Sequence, residues 1–115
     1  MMSSACFIIS KKKVIEQYKK IEKISDIVSY SYKTNFDVGQ ILAQKTNCDF
    51  CVHSIESINQ LNQPTRSWFF AQAWNKEEIE NLFEKHINMF VVDNENDLNI
   101  LLENLDNKKI SLLLR

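Results

Sequence analysis

Glycine and proline are almost absent: the chain holds one of each in 115 residues. Backbone that closes on a phosphate needs glycines, because a Cβ stands in the way. The single glycine, Gly39, falls inside a helical pattern, so this stretch carries no glycine-rich phosphate cradle. Long apolar runs are missing as well, and none reaches the roughly 20 residues of a membrane-spanning helix. Neither sign of charge is in excess. Fourteen Lys and Arg against 15 Asp and Glu leave a net charge of -1 and a pI near 6.1. Nothing in that balance suggests a general nucleic-acid or anionic-membrane partner. Cysteine is scarce and odd in number: Cys6, Cys48 and Cys51. The first residues do not read as a secretory leader, since the apolar core is short and the lysines follow it. An odd set of thiols without a leader predicts a reducing, cytoplasmic setting.

What is present is strand–helix alternation. Hydrophobic residues at 44% and charged residues at 25% suit one modest soluble domain. Ala5 to Ile9 is a short strand-like run, and Ser10 can cap the helix that follows. From Lys11 to Ile24 the apolar residues Val14, Ile15, Tyr18, Ile21 and Ile24 recur at helical spacing. Strands are predicted near Val28, Asp49, Ser67, Met89 and Ile110, one roughly every twenty residues. Between them, Asn35 with Asp37, Ser54, Asn75 with Glu78, and Asp93 or Asn94 supply helix starts. Leu98, Leu101, Leu102 and Leu105 read as the inner stripe of the last helix, too short for a zipper. Repeated alternation of this kind builds a parallel sheet with right-handed crossovers. It is compatible with a small open doubly wound sheet or with part of a barrel. A full (β/α)8 barrel takes about 250 residues.

Val28-Ser29-Tyr30-Ser31-Tyr32-Lys33-Thr34-Asn35 carries the chemistry. Val28, Tyr30 and Tyr32 alternate with Ser29, Ser31 and Lys33, which puts the lysine on a face of small residues at the end of a strand. A planar ligand has room there within reach of the amine. Cys48-Asp49-Phe50-Cys51 with His53 has CxxC spacing, but it runs along a strand, and a zinc site needs two further ligands. Buried strand cysteines are the simpler reading. His86 reads as a last-turn residue answering the helix dipole. Trp68 reads as core, while Trp74, in a strand-end loop, is the tryptophan placed to stack on a ligand.

Tyr30, Lys33 and Asn35 resemble the Tyr-Ala-Val-Lys-x-Asn signature of the fold-type III, pyridoxal-phosphate-dependent ornithine/diaminopimelate/arginine decarboxylase family. Cys6-Phe7-Ile8-Ile9 is similar to the family's opening strand. Asp49-Phe50-Cys51-Val52-His53-Ser54 resembles Gly-Phe-Asp-x-Ala-Ser, and Phe70-Ala71-Gln72-Ala73-Trp74-Asn75 resembles Phe-Ala-Asn-Pro-x-Lys. Val92-Asp93-Asn94-Glu95-Asn96-Asp97-Leu98 resembles Val-Asp-x-x-x-Glu-Leu, and Leu112-Leu113-Leu114-Arg115 resembles Leu-Leu-Arg-Ile. The departures are Cys51 in place of an aspartate, Ser57 in place of a glutamate, and Ala73 and Asn75 in place of a proline and a lysine.

The resemblance implies a partial (β/α)8 TIM-type barrel, alanine-racemase-like, with about five parallel strands and truncated before closure. Residues 1-10 would be the opening strand segment and 11-115 the barrel part. It implies pyridoxal 5'-phosphate held as a Schiff base on Lys33, with Arg115 near its phenolic oxygen and Ser54 at the edge of the site; no metal is implied. Such a lysine works as a free amine, which burial or a nearby cation favours. The family's glycine-rich phosphate loop, stacking histidine and acidic pyridine partner would lie beyond Arg115. The implied activity is decarboxylation of a basic or diamino acid by a homodimeric full-length enzyme, with this chain alone expected to be inactive. Two other readings stand beside it. One is a non-catalytic homologue that pairs with a full-length subunit; the other is a racemase or cofactor-carrier relative on the same barrel.

Overall fold

A computed structural model describes residues 10–61 and 63–115; the expected strand Ala5 to Ile9 and Cys6 lie outside them. The described chain alternates helix and strand throughout. Helix α1 is Lys11–Glu22, β1 Ser29–Ser31, α2 Phe36–Lys45, β2 Asp49–Val52 and α3 Ile55–Leu61. A short 3-10 turn, Pro64–Arg66, leads into β3 Ser67–Phe70. Then come α4 Lys76–Glu84, β4 Met89–Val92, α5 Glu95–Glu103 and β5 Ser111–Leu114.

Each helix begins where the sequence places a short polar residue. Ser10 accepts from Lys13 N at 3.3 Å, Asn35 from Val38 N at 3.1 Å and Ser54 from Ser57 N at 3.2 Å. Asn75 accepts from Glu78 N at 2.9 Å. Asn94, rather than Asp93, caps α5 by accepting from Asp97 N at 2.8 Å. Each bond satisfies a donor that the first turn leaves free, worth about 1 kcal/mol.

All five strands are parallel and lie in the order β1-β2-β3-β4-β5. The order is what chooses between the two closures. A doubly wound sheet reverses its strand order once and so carries helices on both faces. Here each strand neighbours the next in sequence, and right-handed crossovers then stack every helix on one face. Phe50, Val52, Phe69, Phe90 and Val92 point to that face and form one core with Tyr18, Leu42, Ile58, Ile79, Leu82 and Leu101. The opposite face carries Ser31, Cys51, Trp68, Met89 and Ser111 in a single registered row. The architecture is a partial TIM-type barrel, open among the described residues.

Several helical positions differ from their sequence reading. Ile21, inside α1, is 46% exposed, and Ile24, past the end of α1 at Glu22, is 85% exposed. Leu102 is also exposed, leaving Leu101 as the buried centre of the leucine stripe. His86 is not in the last turn of α4 and not on its inner face. It follows the C-cap Lys85 with φ 65°, and the N–H of Ile87 reaches back to Leu82 O at 3.0 Å. That is a Schellman ending, in which glycine is the usual residue. At the other end of the sheet, Arg66 donates to Ala43 O and Thr46 O, both at 2.9 Å. It also donates to Cys48 O, so one guanidinium ties off the carbonyls between α2 and β2.

Candidate functional site

Lys33 stands just beyond β1, in a turn over Tyr32 to Thr34 closed by Thr34 N donating to Ser31 O at 3.1 Å. The strand is shorter than the sequence suggests, so the lysine leaves the sheet from a turn. That turn is braced. Tyr32 is buried, meets the rings of Phe36 and Phe50 edge-on, and its hydroxyl accepts from Gln40 Nε2 at 2.7 Å. Its ring lies against the one glycine. A Cβ built on Gly39 would stand 2.8 Å and 2.9 Å from two Tyr32 ring carbons. Lys33 itself is exposed, on the parity of the helix-free face.

Four other residues gather at the same carboxyl end and on the same parity: Cys51, His53, Phe70 and Arg115. Register places them. Ser31 pairs with Cys51, and Tyr32 N donates to Cys51 O at 3.1 Å, so Lys33 and His53 each follow a paired position by two residues. The His53 ring stacks on Phe70, with centroids 5.3 Å apart and 16° between planes. Arg115 N donates to Val92 O at 2.9 Å, and its guanidinium stands 5.6 Å from the centre of the Phe70 ring. β2 and β5 lie on opposite sides of β3, so Phe70 is approached by an imidazole from one side and a guanidinium from the other.

The electrostatics follow from this grouping. Burial pushes the Cys51 thiol above its ordinary pKa, while Lys33 and Arg115 pull it back. Burial lowers His53 below the usual histidine value, and the Lys33 ammonium lowers it further. His53 is therefore neutral at pH 7. Its Nδ1 is shut off from solvent and has no hydrogen-bond partner among the described residues. Beside this row, a cleft of about 420 Å³ opens between the loops after β3 and β4. It is lined by Phe70, Gln72, Ala73, Asp93, Asn94 and Asp97.

Of the residues singled out in the sequence, Lys33 and Arg115 arrive at one end of one face. Ser54 closes β2 on the other parity, and its hydroxyl is spent on the α3 cap and on Ser57 Oγ at 3.0 Å. Trp74 is not free to stack on a ligand. It is 3% exposed, lies parallel to Phe69, and donates from Nε1 to Asp97 O at 2.9 Å. Trp68 is core, as expected, with Nε1 donating to Asp49 Oδ2 at 3.0 Å. Cys48, just before β2, and Cys51, within it, stand three residues apart and so on opposite parities, and both are free thiols. Among the described residues no group of three metal-ligating side chains forms. His53 enters the sequence reading only as a metal ligand beside the CxxC, and Phe70 only within a motif, and neither is grouped there with Lys33. The parity shared by 33 and 53 was the available signal, once β1 and β2 are aligned.

No family model matches the sequence, and no curated protein matches it. Among solved structures, it is similar to the lysine/ornithine decarboxylase of Vibrio vulnificus complexed with cadaverine. The likeness has a TM-score of 0.70 at 17% identity. The two share a fold. The match covers 91% of this chain and 30% of that one, so this chain spans under a third of the decarboxylase's length. Among the described residues no helix is long and apolar enough to cross a membrane.

Proposed function

We propose that this chain is part of a pyridoxal-phosphate-dependent decarboxylase of a basic or diamino acid. In full-length form the enzyme would be a cytoplasmic homodimer. One observation carries the reading: an amine, Lys33, and a guanidinium, Arg115, both lie at the carboxyl end of the sheet on the parity of its helix-free face. Barrel active sites are built at that end. The shared fold with a lysine/ornithine decarboxylase supports the same reading.

The side chains present fit the group. An aldehyde needs a primary amine with open space around it, and Lys33 is exposed on the helix-free face. A phenolic oxygen needs a fixed cation, and Arg115 is tied by its own N–H to β4. When bound, the cofactor supplies a sink for the electron pair left as carbon dioxide departs. This chain's residues supply the amine, the cation and one wall of the site. The Tyr32–Gly39 contact holds the Lys33 turn in one place. Lys33 would hold the group through its amine, and Arg115 would supply the positive charge that a phenolic oxygen needs. Phe70 and His53 give the site a flat wall that keeps water off one side. Ser54 borders the site while capping α3.

A visible-absorbance titration with pyridoxal phosphate tests this, run beside Lys33→Ala. A saturable band in the natural protein that the variant lacks is the expected result. Equal, unsaturable bands from surface lysines in both would overturn it.

A second reading, a non-catalytic partner of a full-length subunit, draws on the other end of the sheet. Leu113 and Leu114 on β5 are 51% and 68% exposed. Open strand edges of this kind recruit other chains. Co-purification with a full-length decarboxylase subunit that is lost in Leu114→Lys would favour it.

A further inference from the structure

His53 has no role in the motif that Lys33 belongs to, yet the fold carries it to the same end and the same face of the sheet as that lysine, on the neighbouring strand. Three observations make it more than packing. Its position is fixed from two directions: by the register of β1 on β2, and by the flat stack on Phe70. Its Nδ1 is a buried polar atom without a partner, which native interiors avoid unless a ligand or water completes it. Among the described residues no carboxylate ion-pairs with Lys33, so the imidazole is the base at hand.

We propose that His53 moves the proton for Lys33 when the lysine condenses with an aldehyde. This rests on the reading of Lys33 as the carbonyl-binding amine. The step balances as follows. Neutral His53 takes one proton from the Lys33 ammonium, and the freed amine adds to the aldehyde carbon to give a carbinolamine. His53 then returns that proton to the carbinolamine hydroxyl, which leaves as water. The C=N bond forms with its nitrogen still protonated. Imidazole ends as it began, and nothing is oxidised or reduced. The condition for such a shuttle is a base that is neutral at working pH, and burial together with the neighbouring ammonium gives His53 that state.

The test is the rate, not the extent, of band formation with pyridoxal phosphate, followed by stopped flow from pH 5.5 to 8.5. His53→Gln keeps a neutral hydrogen-bonding side chain but cannot titrate. It should slow the reaction on the order of 100-fold, leave the final amplitude unchanged, flatten the pH profile and respond to added imidazole. An unchanged rate with an unchanged profile would overturn the proposal. So would a lost amplitude with an unchanged rate, which marks a packing role only. Lys33→Ala separates the two layers: a band that persists there defeats the reading of Lys33. A second measurement needs no cofactor. The titration midpoint of the His53 imidazole, followed by NMR, should rise in Lys33→Ala. If it stays where it was, the two side chains are not a pair and the proposal falls.

Discussion

The carboxylate of Asp97 accepts a hydrogen bond at 3.2 Å from the backbone N–H of Ala73, which lies 24 residues earlier. Asp97 is 2% exposed, and its Oδ2 also accepts from Asn94 Nδ2 at 2.8 Å. Ala73 holds φ at 51°, a left-handed conformation that costs a residue with a Cβ about 1–2 kcal/mol. One buried acid thus fixes the loop after β3 to the first turn of α5, beside the cleft. The decarboxylase-like motif has proline where Ala73 stands. Proline has neither this φ nor an N–H to give. The substitution is therefore part of the loop's geometry here. Ala73→Pro should destabilise the fold by about 3 kcal/mol and Asp97→Ala by about 2 kcal/mol. Urea unfolding at pH 7 reads both, and an unshifted midpoint in either would contradict this account of the loop.

Gly39→Ala sets two effects against each other. Alanine in mid-helix gains about 1 kcal/mol over glycine. The new methyl would meet the Tyr32 ring below 3 Å, and forcing a packed ring aside costs about 1–3 kcal/mol. Tyr32 is held by Gln40 and by two neighbouring rings, so the clash wins and the variant is less stable. Because the ring anchors the Lys33 turn, amide exchange at 33–34 should speed up more than exchange in α5. Equal effects in both places would sink the link between Gly39 and the lysine.

His86→Gly should make the protein more stable by about 1 kcal/mol. The residue sits at φ 65° in the Schellman ending of α4, where a Cβ brings strain and its side chain is exposed. A rise in thermal midpoint of a few degrees is the expected reading. A fall would mean that the imidazole makes a contact that matters.

The thiols give the chain an alkaline limit. Burial pushes Cys48 up to about 11, and its thiol donates to Asp49 O at 3.0 Å. A raised acid group holds its proton better in the folded state than in the unfolded one. Its contribution is complete below the unfolded pKa near 9 and is lost as pH rises toward 11, a loss on the order of 3 kcal/mol. Stability measured from pH 8 to 11 should fall along that window. The limb attributable to Cys48 should vanish in Cys48→Ala, which starts lower because it empties a packed site.

Local chemistry was the legible part. Every helix cap is a Ser or Asn read from the chain, because a cap involves only four consecutive residues. The strands begin within one residue of where apolar runs placed them. Strand order was not legible, since a two-residue period says nothing about which neighbour a strand takes. Only the motif resemblance favoured the barrel. Ile21 and Ile24 failed for a related reason: periodicity marks a face but not whether anything covers it. Trp74 was misjudged because its loop folds back onto Phe69 and Asp97, contacts set by the sheet rather than by neighbours in sequence. Lys33 was singled out through its motif. His53 was hidden because its meaning comes from a register between two strands that lie twenty residues apart.

The sequential order of the strands also bears on how the chain is made. Each βα unit rests on the one translated just before it, and no strand waits for a distant partner to emerge. Ribosomal synthesis delivers the units in the order in which they stack, so the sheet can grow vectorially from β1 toward β5. Each pairing spans only one crossover of about twenty residues, the shortest separation a parallel sheet of this kind allows. Among the described strands, β5 forms one open edge of the sheet.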